Sequence, residues 1–120
     1  MHNIIFHGEL VPVQDLKYGL DCLQIRLFDT RNGNNWHDWD TFIKNAYMAG
    51  IPTVPVLFIG EYSSNVLELT NGMEKVSGKN LHIREGCVIK TYVPRYNQRG
   101  DRHIFKSISD AYLTRKNGTE

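Results

Sequence analysis

Cysteine is scarce here and badly spaced for metal. The chain holds two, Cys22 and Cys87, 65 positions apart and with no second Cys or His at short spacing, which argues against a structural zinc module. Each has an apolar residue after it, Leu23 and Val88, and reads as a buried thiol. No apolar run approaches the ~20 residues that cross a bilayer. Met1–Glu9 lacks a basic start and a long apolar core followed by small residues, so it does not read as a secretory signal. The cytoplasm is the expected compartment, with no membrane partner. A dominant charge is missing too: the formal net charge is +1, so no global field draws the chain onto nucleic acid. No repeat, low-complexity tract or Pro/Gly/Ser linker divides the 120 residues, and residues 1–120 read as one unit large enough to bury a core.

What is present is local. From Lys90 to Lys116 there are seven basic residues (Lys90, Arg95, Arg99, Arg102, Lys106, Arg115, Lys116) against Asp101 and Asp110, an excess that suits either phosphate contact or a solvated surface. Asn3–Glu9 and Cys22–Phe28 read as strands, the second alternating cleanly with Leu23, Ile25 and Leu27 on one face and Phe28 on the other. Val11–Gly19 suits a loop and Asp29–Asn35 a polar turn. Asp38 can cap a helix with Trp39, Phe42, Ile43, Ala46 and Tyr47 at helical spacing, ended by Gly50 and Pro52. Thr53–Ile59 reads as a short apolar strand and Ser64–Asn71 as a second helix stopped by Gly72. Strands Arg84–Tyr92 and His103–Ile108 follow, joined by the loop Val93–Arg102, and Ser109 or Asp110 caps a last helix through Arg115. The expected class is α+β, a largely antiparallel sheet with two or three helices.

The most informative residues are Glu85-Gly86-Cys87-Val88-Ile89-Lys90, followed by Lys106 in Ile104-Phe105-Lys106-Ser107-Ile108-Ser109. Upstream stand Gly8-Glu9, then Gln14-Asp15-Leu16-Lys17-Tyr18-Gly19, then Leu27-Phe28-Asp29. In this order the segments resemble those of the covalent nucleotidyltransferases, which comprise RNA ligases, DNA ligases and capping enzymes. The ending FKSISDAYLTRKNGTE is similar to bacterial and phage ATP-dependent RNA ligases, so the resemblance covers nearly the whole chain. It implies part of a nucleotidyltransferase domain with an ATP-grasp-like ligase fold. It also implies ATP and Mg²⁺ or Mn²⁺ as cofactors, and RNA with 5′-phosphate and 3′-hydroxyl ends as substrate.

By the same resemblance Glu9 binds the nucleoside ribose, Phe28 stacks on adenine with Asp29 beside it, Glu85 organises the divalent metal, and Lys106 approaches the phosphate. The residue types suit these tasks. A carboxylate accepts from hydroxyls, base–aromatic stacking contributes about 1–3 kcal/mol, and loss of pyrophosphate needs lysines and a hard cation around the α-phosphate. RNA ligases place two lysines at alternate positions of the last strand, whereas here the partner position of Lys106 is Ile104. Lys90 is the substitute, although ideal alternation turns it away from Glu85.

The family's nucleophile is a lysine in a K-x-[DN]-G motif before the GE segment. Eight residues precede Glu9 and none is lysine. Lys75-Val76-Ser77-Gly78 fits K-x-x-G but follows the adenine-stacking strand, and Lys116-Asn117-Gly118 lies at the terminus. The chain alone is therefore expected not to form a lysyl-AMP adduct, whether it is a truncated remnant, one half of an enzyme completed by a separate N-terminal ligase half, or a piece of a longer reading frame. Two other classes stay open: a non-catalytic nucleotide- or RNA-binding module, and a metal-dependent nuclease built on His37, Asp38 and Asp40. Glu61, Glu68 and Glu74 read as solvated surface.

Overall fold

The computed structural model describes residues 3–11 and 24–118. The segment Gln14–Gly19, Cys22 and Leu23 fall outside them. The order is β1 (Ile4–Val11), β2 (Gln24–Asn32), β3 (Asn35–Trp36), α1 (Trp39–Ala49), a 3₁₀ helix (Ser64–Thr70), β4 (Gly86–Lys90), β5 (Ile104–Ile108) and α2 (Asp110–Gly118). Strands β1, β2 and β3 form one antiparallel sheet in that order, and β4 and β5 a second antiparallel pair. The α+β expectation holds, with two small sheets in place of one.

Helix α1 forms where its signals are. The Asp38 carboxylate accepts from the Thr41 amide at 2.8 Å, and Gly50 ends the helix at φ 70°, a left-handed conformation that suits glycine. Its inward residues Phe42 and Ala46 pack with Leu27 of β2, flanked by Trp39 and Ile51. A smaller cluster joins Val11 to Tyr112 of α2. Ser109 precedes that helix, and its hydroxyl accepts from the Tyr112 amide at 3.1 Å. The second helix is 3₁₀, and Thr70 at its end reaches the Ser107 hydroxyl at 2.7 Å. Cys87, half-buried, lies 3.8 Å from the same Thr70 oxygen, so this helix covers the Cys87 and Ser107 face of the β4–β5 pair. Arg84 fastens it by donating to the carbonyls of Leu69, Asn71 and Met73.

Three expectations are corrected. Asp29–Asn35 is not a turn: β2 runs on to Asn32, and only Gly33 and Asn34 turn the chain into β3. Thr53–Ile59 makes a single parallel bridge, Leu27 with Thr53, through Leu27 N to Pro52 O and Val54 N to Leu27 O, both 2.8 Å. Pro55 has no amide hydrogen to extend that ladder. Glu74 is not surface but 3% exposed. Its carboxylate accepts from the Ser77 amide at 2.9 Å and from the Ser77 hydroxyl, so a local loop supplies the donors a buried carboxylate needs.

Candidate functional site

The site is built around a β-bulge. Strand β1 pairs His7 with Asp29 but Gly8 with Leu27, so Phe28 has no opposite residue. β2 keeps its alternation across the bulge: Leu27 and Asp29 are each 2% exposed, whereas Phe28 between them is 39% exposed. Glycine is required opposite, since a Cβ on Gly8 would stand 2.8 Å from the Arg26 carbonyl oxygen. The Gly8-Glu9 pair thus has a structural cause for its glycine. Glu9 follows on the exposed strand, in register with Arg26.

Asp29, next to Phe28 on β2, is buried and not on the surface. Its carboxylate takes the Arg102 guanidinium at 2.6 Å and the Lys90 ammonium at 3.2 Å, and it also accepts from the Thr30 amide at 3.1 Å. Lys90 donates in addition to the Phe28 carbonyl at 2.9 Å. Burial holds the Lys90 pKa below the ordinary lysine value, against the opposing pull of the Asp29 charge. Arg102 stacks on Trp36, with its guanidinium carbon 4.4 Å from the ring centroid, and Trp36 meets His7 at 4.8 Å. This clasp ties the end of β2 to the β4–β5 pair. Asp29 and Lys90 are therefore engaged with each other, and neither stands free toward solvent.

Register places Val88 opposite Lys106 and Lys90 opposite Ile104, so Lys90, Val88 and Lys106 share the face that the 3₁₀ helix does not cover. Lys106 is 60% exposed, and its ammonium lies 3.6 Å from the Glu85 carboxylate, which is 35% exposed. Glu85 precedes β4, so the alternation that separates it from Lys90 does not keep it from Lys106. Gly86 is fixed by packing: a Cβ there would fall 2.0 Å from the Ser107 carbonyl oxygen and 2.9 Å from the Ile108 Cα. The structure thus brings together Phe28, Asp29 and Lys90 on one side and Glu85 with Lys106 on the other, joined through β4. A shallow groove lined by Gln24, Ile25, Gly50, Ile51 and Pro52 lies at the opposite end of β2 and holds no ionisable side chain.

A model of the RNA ligase family matches residues 1–108. The chain belongs to the RNA ligase family. A solved structure titled Naegleria gruberi RNA ligase with pyrophosphate matches with a TM-score of 0.69 and 21% identity, over 98% of this chain and 35% of that one. The chain thus spans about a third of the solved ligase it matches. No curated protein sequence matches it.

Within the family frame, Lys75 is an exposed loop residue bonded to the Asn80 side chain at 3.0 Å, and its K-x-x-G neighbourhood is a surface turn. The nuclease trio is occupied otherwise. Asp38 caps α1, and the donation from the Thr41 amide lowers its pKa. His37 meets the Thr30 hydroxyl at 2.8 Å, and Asp40 accepts from the Tyr92 phenol at 2.5 Å, which raises the Tyr92 pKa. Among the described residues no group of three or more His, Cys, Asp or Glu is placed to hold a metal, and no helix is long and apolar enough to cross a membrane. Glu85 can contribute one oxygen ligand, which fits a Mg²⁺ held by one carboxylate together with nucleotide phosphates and water. The sequence marks Arg102 only as part of the basic stretch and does not mark Trp36, because only the fold brings Arg102 to Asp29, 73 residues away.

Proposed function

We propose that this chain supplies the adenosine-seating and phosphate-meeting part of the nucleotide cleft of an ATP-dependent RNA ligase. The lysine nucleophile comes from a further segment, in the same polypeptide or as a separate N-terminal half. The observation that carries the reading is the exposed Phe28 at the β-bulge, where Lys90 ties β2 to the strands holding Glu85 and Lys106. Phe28 stacks on adenine, Glu9 accepts from the ribose hydroxyls, and Lys106 neutralises the α-phosphate. Glu85 would help hold Mg²⁺ or Mn²⁺, which would supply positive charge against the nucleotide phosphates. Asp29 acts through Lys90 and Arg102 as a positioning residue.

In the reaction the lysine amine attacks the α-phosphorus, a nitrogen–phosphorus bond forms, pyrophosphate leaves and the amine loses a proton. The RNA 5′-phosphate then attacks the same phosphorus, the nitrogen–phosphorus bond breaks, and the lysine amine leaves and regains its proton as AMP passes to the RNA. The 3′-hydroxyl finally attacks that phosphate, and AMP leaves as the phosphodiester forms. Stabilising the negative charge that develops on the departing pyrophosphate is the demanding part, and electrostatic stabilisation of that kind is commonly the largest catalytic contribution.

Calorimetric titration of ATP with Mg²⁺ tests the reading. Phe28→Ala should weaken binding by about 1–3 kcal/mol, the worth of base–aromatic stacking, and Lys106→Ala should weaken ATP more than adenosine. Equal affinities for the wild type and both variants would overturn the assignment.

A further inference from the structure

The loop between β4 and β5 is built as a rigid prong. At its base Arg102 is fixed to Asp29, the Tyr92 carbonyl accepts from the Trp39 amide at 2.8 Å, and the Tyr92 phenol donates to Asp40. His103 N donates to Arg95 O at 2.8 Å, and Tyr96 bridges to Arg102. The tip is closed by Asn97, whose side-chain oxygen accepts from the amides of Arg99 and Asp101, both at 2.9 Å, while Gly100 turns the chain at φ 84°. On this scaffold Arg95, Tyr96 and Arg99 point to solvent. Among the described residues neither guanidinium has an ion pair or hydrogen bond from its side chain, and the Tyr96 phenol has no partner. A loop this well tied, yet presenting two uncommitted cations around an exposed ring, differs from an ordinary charged surface, where arginines are free to lie along neighbouring carboxylates.

We infer that Arg95, Tyr96 and Arg99 form a contact site for single-stranded RNA, with the guanidinium groups on backbone phosphates and the Tyr96 ring under a base. Cations interleaved with an exposed aromatic are the chemistry of single-strand platforms. The loop leads directly from Lys90 into the strand of Lys106, so a bound strand would run toward the proposed phosphate site. The inference rests on the ligase reading for that direction only. A rigid loop also suits the task, because ordered side chains lose less entropy on binding.

The test uses the full chain and a fluorescently labelled, 5′-phosphorylated single-stranded RNA oligonucleotide, with anisotropy followed across a salt series and ATP binding measured alongside. Arg95→Ala with Arg99→Ala should lower the slope of log affinity against log salt by about 1.4, at ~0.7 per lost phosphate contact on a single strand. Tyr96→Ala should lose about fivefold or more, and Tyr96→Phe should keep wild-type affinity because the ring is what stacks. ATP binding should be unchanged in all three. Wild-type RNA affinity and salt slope in the double arginine variant and in Tyr96→Ala would overturn the inference, as would absence of RNA binding by a wild-type chain that binds ATP. Loss of Tyr96 stacking in the Phe variant would overturn the assignment of the ring. A chain that binds RNA through the loop but never ATP would instead count against the ligase cleft.

Discussion

Replacing Asp29 by alanine removes the anion that holds two cations. The Lys90 and Arg102 side chains are only 18% and 11% exposed, so both would be left partly desolvated and unpaired. Breaking a buried pair from one side costs about 3–5 kcal/mol. The lower end applies here, about 3 kcal/mol, because Lys90 keeps the Phe28 carbonyl and Arg102 keeps the Trp36 ring. For a chain of this size that corresponds to a fall in Tm of about 10 °C, measured by thermal and urea denaturation. The loss should also depend on pH. Burial already lowers the Lys90 pKa, and losing the Asp29 charge lowers it further. A lysine with a folded value below its unfolded one binds fewer protons when folded, so stability rises with pH between the two values. The deficit of Asp29→Ala should therefore narrow as pH approaches 10.5, the ordinary lysine value. Combining Asp29→Leu with Lys90→Met and Arg102→Met should recover most of the loss, since apolar replacement of a whole buried ion cluster is often neutral or stabilising. A deficit under about 0.5 kcal/mol, the level of ordinary surface substitutions, would refute the clasp.

Gly86→Ala should cost about 3 kcal/mol or more, because its Cβ would meet backbone atoms of β5 and not a movable side chain. Val88→Ala on the exposed face should stay within about 0.5 kcal/mol, and urea midpoints compare the two. The Asp38 carboxyl has a lowered folded pKa, so its contribution is complete above the usual value of 3.8 and is lost as pH falls through the folded value. Asp38→Asn should flatten that acid limb of the stability profile.

The legible parts of the fold were those with local causes. Helix α1 announced itself by the Asp38 cap, the spacing of Trp39, Phe42 and Ala46, and Gly50. Strands β4 and β5 fell inside their expected spans, and the helix expected at Ser64–Asn71 formed as a 3₁₀ turn ending at Thr70. The illegible parts had distant causes. Asp29 and Thr30 look like turn residues, yet they lie in a strand interior because Lys90 and Arg102 neutralise one and His37 bonds the other. The exposure of Phe28 follows from alternation, whereas the bulge beside Gly8 that leaves Phe28 without a cross-strand partner depends on the register of β1 and β2. The apolar run Thr53–Ile59 had the composition of a strand and found only one bridge to pair with. For the site, Glu85 and Lys106 were both nominated by motif, and their 3.6 Å approach depends on the β4–β5 register that sequence alone does not give.

The central claim is that this chain completes a ligase nucleotide cleft. Its most direct test is adenylylation with labelled ATP and Mg²⁺ after mixing the chain with a lysine-bearing upstream segment of an RNA ligase nucleotidyltransferase domain. An alkali-stable, acid-labile AMP adduct, as a nitrogen–phosphorus bond requires, should form on the added segment, dependent on this chain and lost with Glu85→Ala or Lys106→Ala. An adduct on this chain in the absence of the segment, or an adduct on the segment that forms equally well without this chain, would contradict it.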